Sequence, residues 1–358
     1  QGKSLTRPEL AILISYAKAV LKEDLAKTNI VDVDYLARFI ETAFPQKIAQ
    51  LFPVALRNHR LRREIVATQI ANDMVNTMGI SFAQRLMEST GASAGDVAKA
   101  YVIARDIYAM PEFLAALDAA GTAVPAERQL QLISMMMRKI RRAARWFLRN
   151  RRSYLNPASE VELFTTGLKE INENLPQLLV GDALSEWQDA VQKLRAFGLS
   201  ENLVSCIARP ADLYSGLSVV EAARIANQDI VKLAQIYFAL GNYLSLPWFS
   251  NQISNLPVDN FWQAMARETY LADLESQLRS LSISLIRFMD DSLTLEEIIR
   301  RWSNQHQLLI TRWKSMVNEL QAVNGTDFAM VAVALRDLLD LAQASQHCDA
   351  LDNCALPE

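Results

Sequence analysis

Four capping boxes punctuate this chain, at Thr6-Arg-Pro-Glu9, Ser93-Ala-Gly-Asp96, Ser218-Val-Val-Glu221 and Thr294-Leu-Glu-Glu297. In each, a hydroxyl side chain precedes a carboxylate by three positions, so the two can satisfy the orphan amides of a first helical turn. Strand signals are nearly absent. Ile30-Val-Asp-Val33 is too short and too broken by carboxylates to be more than a loop. The pattern predicts an all-α chain: a large multi-helical array or irregular bundle without a sheet. Connections should be mostly short, and no fixed-period repeat indicates a solenoid.

The first helix should run from Thr6 to about Thr28, with Asp32 or Asp34 capping a second that Pro45 closes. Ser81 opens a short helix ending near Gly91, and Pro111 and Pro125 stand in first turns on either side of a stop at Gly121. A long amphipathic helix follows Pro125, and another follows Asn156-Pro157, interrupted near Pro176. Gly181-Asp182 starts one that ends at Gly198, and Ser200 to about Arg209 is shorter, terminated by Pro210. The Ser218 box predicts a helix reaching Gly241. Pro247 opens a brief aromatic segment, and Asp259 caps a helix reaching toward Met289. The Thr294 box opens a long one that Asn324-Gly325 stops, and Thr326 or Asp327 starts the last. The weakest point for a division is Arg151 to Ser159, where a charge run meets Tyr154, Asn156 and Pro157. A split there gives an amino-terminal helical lobe, 1–153, and a carboxyl-terminal helical lobe, 154–358; without it the chain is one continuous unit.

Bulk properties narrow the function classes. The 358 residues are 51% hydrophobic, ample for a core. A formal charge of -3 predicts no generic affinity for nucleic acid. No apolar run approaches the ~18 residues a membrane span requires; the longest, Phe328 to Leu335, reads as a buried helix. Cys206, Cys348 and Cys354 are too few and scattered for a disulfide framework, which suits a reducing cytoplasm.

Signatures of chemistry are missing. There is no GxGxxG after a strand, no GxxxxGK[ST] and no GxSxG. His347, Cys348 and Cys354 in the tail are three possible metal ligands with no obvious fourth. His59 precedes Arg60, Arg62 and Arg63 without a paired nucleophile and reads as a helix-start or surface histidine. His306, near Trp302 and Trp313, reads as core or interface packing. No catalytic, cofactor-binding or metal-binding residue is assigned.

Three stretches are candidates for contact. In His59 to Phe82, Ala67, Ile70, Ala71, Met74, Val75 and Met78 mark one helical face, which Gly79 ends. The other face is Thr68, Gln69, Asn72, Asp73, Asn76 and Thr77, short polar side chains of weak helix propensity with one charge among them. Such a face is either covered by another part of the protein or another subunit, or is solvent-facing with poor propensity. The second stretch runs from Arg138 to Arg152, where eight of 15 residues are basic and none is acidic. Arg138, Arg142, Arg145, Arg149 and Arg152 recur at 4, 3, 4 and 3 spacing and form one stripe if the helix persists. Arginine favours bidentate pairing to carboxylates or phosphates. The stripe either docks on an acidic face, is solvated and paired locally, or holds an anionic effector such as a nucleotide or dicarboxylate. The third is the aromatic group Tyr237, Phe238, Tyr243, Trp248, Phe249, Phe261 and Trp262, a corner of the core or a protein-protein surface.

The runs LTRPELAILISYAK, HRLRREIVATQIANDMVNTMGISF and LPVDNFWQAMARETYLADLESQLRSL resemble the C-terminal helical region of the large bacterial NAD-specific glutamate dehydrogenases. They lie at the start, near the start and well along the chain, so the resemblance covers nearly all of it; Pro247 departs from the expected pattern. The resemblance implies a non-catalytic tail whose parent oxidatively deaminates L-glutamate to 2-oxoglutarate and ammonia with NAD in the cytoplasm. The implied partners are the catalytic part of the same chain and other subunits of a homo-oligomer, a tetramer in the parent; neither nucleic acid nor membrane is implied. The different-class alternative is a free-standing helical adaptor with no enzymatic parent. The start at Gln1-Gly-Lys-Ser, without an initiator Met, favours a segment of something longer.

Overall fold

The computed structural model describes residues 5–121, 124–179, 182–208, 216–290, 292–323 and 325–352. These residues are all-α, and no strand occurs among them. The chain divides into two compact units, residues 1–165 with 197–207, and residues 166–196 with 208–358.

The first unit opens with α1 (Arg7–Ala26), whose reciprocal Thr6/Glu9 capping box and Pro8 fix its start. A 3-10 turn (Asn29–Asp32), α2 (Asp34–Ala37) and a second 3-10 turn (Arg38–Ala43) follow. Thr28 caps the first of these, so neither Asp32 nor Asp34 takes the capping role the sequence suggested. Two short helices come next, α3 (Gln46–Leu51) and α4 (Pro53–Arg57).

The central helix is α5 (Arg62–Met78), which buries Val66, Ala67, Ile70, Ala71, Met74, Val75 and Met78 and packs on α1. Arg63 joins the two: its Nη2 donates to the carbonyls of Ala26 and Thr28, at 3.3 and 3.2 Å, where α1 ends. α6 (Phe82–Thr90) stops at Gly91, which takes the left-handed conformation at φ 63°. α7 (Ala94–Ile107) is capped by Ser93 and nearly enclosed, so it packs closely on α9 with alanines and valines. α8 (Met110–Ala120) has Pro111 in its first turn, and α9 (Ala126–Asn150) carries the basic run. α10 (Pro157–Leu178) runs through Pro176 to end two residues later. Phe164 on α10 packs edge-on against Phe147 and Trp146, ring centroids 4.9 and 5.5 Å apart.

α11 (Asp182–Ala196) and α12 (Glu201–Ile207) precede the bulk of the second unit; Pro210 and Asn324 lie outside the described residues. There α13 (Leu217–Ala226) begins ahead of Ser218, so the expected capping box does not form. The Ser218 hydroxyl instead donates to Glu275 at 2.8 Å, and Glu221 pairs with Arg224. That helix also stops short of Gly241, because Asn227 turns left-handed and Asp229 caps a new helix, α14 (Ile230–Tyr243). α15 (Leu246–Ser254) carries the aromatics after Pro247.

Asn260, one residue beyond Asp259, caps α16 (Phe261–Ser284), the helix against which α13, α14, α15 and α19 pack. The Thr294/Glu297 box forms, but the helix it opens breaks at His306 into α17 (Leu295–Gln305) and α18 (Gln307–Ala322). α19 (Phe328–Asp352) buries Val331, Ala334 and Leu335 while Val333 stays exposed, so the longest apolar run hides only one face.

Candidate functional site

The single charge on the polar face of α5 lies within a network of the first unit. Asp73 Oδ2 accepts hydrogen bonds from the Tyr101 hydroxyl and the Arg105 Nε, both at 2.9 Å. α7 presents both donors on one side, because residues four apart share a helical face. Arg105 Nη1 also donates to Asp106 Oδ1 at 2.8 Å. The other oxygen of Asp106 accepts from the Tyr35 hydroxyl at 3.0 Å and from Arg38, both carried by α2 and the 3-10 turn after it. Arg38 lies over the Tyr35 ring at 4.0 Å and Arg105 over the Phe39 ring at 5.3 Å. Two guanidinium groups and two carboxylates thus alternate and link three chain segments.

Half-burial shapes their titration. Desolvation raises the Asp73 carboxyl above the usual carboxylate range, although Arg105 and Tyr101 pull it down. The Arg105 guanidinium pays a burial penalty that the Asp73 and Asp106 carboxylates outweigh, so it is held protonated more firmly than usual. Burial and the Asp106 charge push the Tyr35 phenol up to about 12, and burial drives Tyr101 up as well. Both phenols are therefore hydrogen-bond donors at neutral pH.

The network forms one wall of an open cleft of about 730 Å³. Arg38, Arg105 and Asp106 meet Thr42, Gln46, Gln50 and Glu112 around it, with Phe39, Phe44, Pro53 and Pro111 as the apolar lining. Each charge of the network already has an opposite charge in contact, and its phenols are protonated. The arrangement suits holding α2, α5 and α7 together beside a polar cleft better than transferring a proton.

The remaining residues of the α5 face divide. Gln69 accepts from Thr42 at 3.3 Å, Thr77 bonds Tyr101, and Thr68 returns to the Glu64 carbonyl at 2.6 Å. Asn72 is half-buried and Asn76 exposed. Tyr35, Arg38, Tyr101, Arg105 and Asp106 were not singled out from the sequence. The available signal was the charged pair Arg105-Asp106 directly after the apolar run Tyr101 to Ala104.

Arg138, Arg142, Arg145 and Arg149 all lie on α9, the middle two half-buried. The helix ends at Asn150, so Arg152 falls in a 3-10 turn. There it donates to the carbonyls of Gly91 and Thr90 at 2.6 and 3.3 Å, capping the end of α6. Its neighbour Arg151, outside the stripe, forms a buried bidentate pair with Glu160 at 2.6 and 3.1 Å. Lys139 donates to the Ile207 carbonyl at 3.1 Å.

The aromatic group also divides. Tyr237, Phe238 and Phe249 are buried, whereas Phe261 and Trp262 are exposed. His59 Nδ1 accepts from the Leu61 amide at 3.1 Å, a helix-start role. His306 is buried beside Trp302 at the break between α17 and α18, and burial, with the Arg287 charge, lowers its pKa. The side chains of His347, Cys348 and Cys354 lie outside the described residues; among the others no group of three potential ligands occurs. No described helix is long and apolar enough to cross a membrane.

Comparison with known proteins gives a consistent match. A family model described as "Glutamate dehydrogenase, C-terminal" matches residues 2–340. The chain is 47% identical to an NAD-specific glutamate dehydrogenase of Pseudomonas aeruginosa over 346 residues, which is 97% of this chain and 21% of that protein. Similar proteins of the same name in Halomonas elongata and Mycobacterium tuberculosis are 36% and 29% identical, each over 96% of this chain and 21% of its relative. The chain therefore spans about a fifth of the length of the curated relatives it matches.

Proposed function

This chain belongs to the glutamate dehydrogenase C-terminal family, and on that premise we propose that it is the non-catalytic helical region of a longer NAD-dependent enzyme. The reaction of that enzyme would be oxidative deamination: L-glutamate, NAD+ and water give 2-oxoglutarate, ammonium, NADH and a proton. The role of the region is to hold the catalytic part and neighbouring subunits of a cytoplasmic homo-oligomer in a fixed relation. A surface does this work, without a reactive pocket.

The observation that carries the reading is the pairing at the cleft. Arg105 lies between Asp73 and Asp106, and Asp106 also receives Arg38 and Tyr35. A general base or nucleophile needs a group free to accept a proton or attack, and the two phenols are held protonated. The test is NADH formation from glutamate and NAD. The complete polypeptide should catalyse it, and residues 1–358 alone should not. Turnover by a clean preparation of residues 1–358 would overturn the assignment.

A further inference from the structure

Large apolar side chains are exposed unevenly along this chain. Of twenty such side chains among the described residues, eleven lie between Leu5 and Leu61. On α1 the only buried residues are Leu21 and Leu25 in its last turns, while Tyr16 is 70% exposed and Val20 58%. α3 buries no residue at all. Residues 46 to 55 are exposed except for half-buried Ala49, so this segment presents its apolar side chains to solvent and not to a core. Gln46, Gln50 and Pro53 line the open cleft and are themselves exposed, and Ile48, Leu51, Phe52 and Val54 are 41, 71, 57 and 69% exposed without lining it.

We propose that the outward apolar side chains of α3 and α4 are the docking surface for the part of the parent polypeptide that precedes this region. The inference rests on the reading above that a longer chain carries it. The matched relatives are about five times as long as the match, and the family is described as C-terminal, so the remaining polypeptide comes before α1. The apolar excess is concentrated in the segment that follows it. The face is apolar where the cleft beside it is charged, which fits a permanent intrachain contact better than a transient ionic one.

The test uses the complete polypeptide with a photoreactive benzoylphenylalanine replacing Leu51, Phe52 or Val54, and mass-spectrometric mapping after irradiation. Adducts should join these positions to residues preceding this region. Adducts exclusively to a second copy of the same region would overturn the proposal, as would a yield no higher than from a control at Leu308, which is 88% exposed. Because a bulky label can perturb folding, maleimide labelling of Leu51→Cys and Val54→Cys is the second measurement. Labelling should be at least tenfold slower than for Leu308→Cys; equal rates would overturn the docking. Glutamate-dependent NADH formation is assayed on the same samples. Its absence from the unsubstituted polypeptide would count against the enzymatic reading and leave the adduct map to decide the surface.

Discussion

Around Arg105 the first unit links four formal charges in a row, Arg38, Asp106, Arg105 and Asp73, whereas in the second unit the buried carboxylates Glu221 and Asp337 pair with Arg224 and Arg312, and the tryptophans are held by neutral contacts. There the Trp313 Nε1 donates to the Leu244 carbonyl at 2.9 Å, Trp302 Nε1 to the Ser345 hydroxyl at 3.2 Å, and Gln277 Nε2 to the Leu335 carbonyl at 3.1 Å. Both tryptophans are essentially inaccessible, while Arg38, Arg105 and Asp106 line a cleft that water reaches and Asp73 is half-buried. The difference follows from desolvation. A neutral N–H can be taken fully into the core for one good acceptor, but a carboxylate goes there only with a charged partner, as Glu160 does with Arg151 and Asp337 with Arg312, and a linked set of charges keeps some hydration. The neutral contacts should therefore fix helix register independently of pH, and the ionic ones should hold α2, α5 and α7 with a strength that acid changes.

The largest test is Trp313→Ala, which removes a ring packed edge-on to Phe249 at 5.6 Å and strands the Leu244 carbonyl. The loss should be about 3–5 kcal/mol, measured by urea unfolding, and equal at pH 5.5 and 7.5. A loss that varies with pH would erase the distinction between the two regions. Arg105→Met comes next. It leaves Asp73 and Asp106 facing each other with only Arg38 as counter-charge. The cost at neutral pH should be about 2 kcal/mol, below the ~3–5 of a fully buried broken pair because water can enter. It should shrink as acid neutralises the carboxylates; a constant cost from pH 7 to pH 4 would show that the arginine matters only through its packing.

Where the sequence was informative, and where it was not, follows the same division. The apolar spacing of α5 and the stop at Gly79 are local, and the Thr6 and Thr294 boxes need only a residue and its third neighbour. Ser218 shows the limit of such reasoning. Its hydroxyl is taken by Glu275, far along the chain, and α13 starts without it. The break at His306 is equally non-local, since that imidazole is buried near Arg287 and the adjoining Trp302 is bonded to Ser345 on α19. At the cleft, Asp73 was conspicuous as one charge on a face of short polar groups. Its partners were not, because Arg105-Asp106 at the end of a helix reads as solvated until α2 is brought against it. Arg152 fell outside the continuous helix for a similar reason: the carbonyls of Thr90 and Gly91 that it caps belong to another helix.

The smallest effect separates charge from hydrogen bonding inside the ionic region. Burial raises the Asp73 carboxyl above its unfolded value near 3.8, so the folded chain binds that proton more tightly than the unfolded one. The stability contributed by this group is thus fully present below that value and is lost as pH rises through the raised folded one. Asp73→Asn keeps an oxygen that can accept from Tyr101 and never ionises, while Arg105 retains Asp106. At neutral pH the variant should lie within about 1 kcal/mol of the parent. Its stability relative to the parent should improve as pH is raised from below 3.8 toward neutrality, followed by thermal unfolding at fixed ionic strength. If the variant instead lost ground over that interval, the Asp73 charge would be a net stabiliser. The first unit would then be held by its ion pairs outright, and desolvation would no longer account for the contrast with the neutral tryptophan contacts.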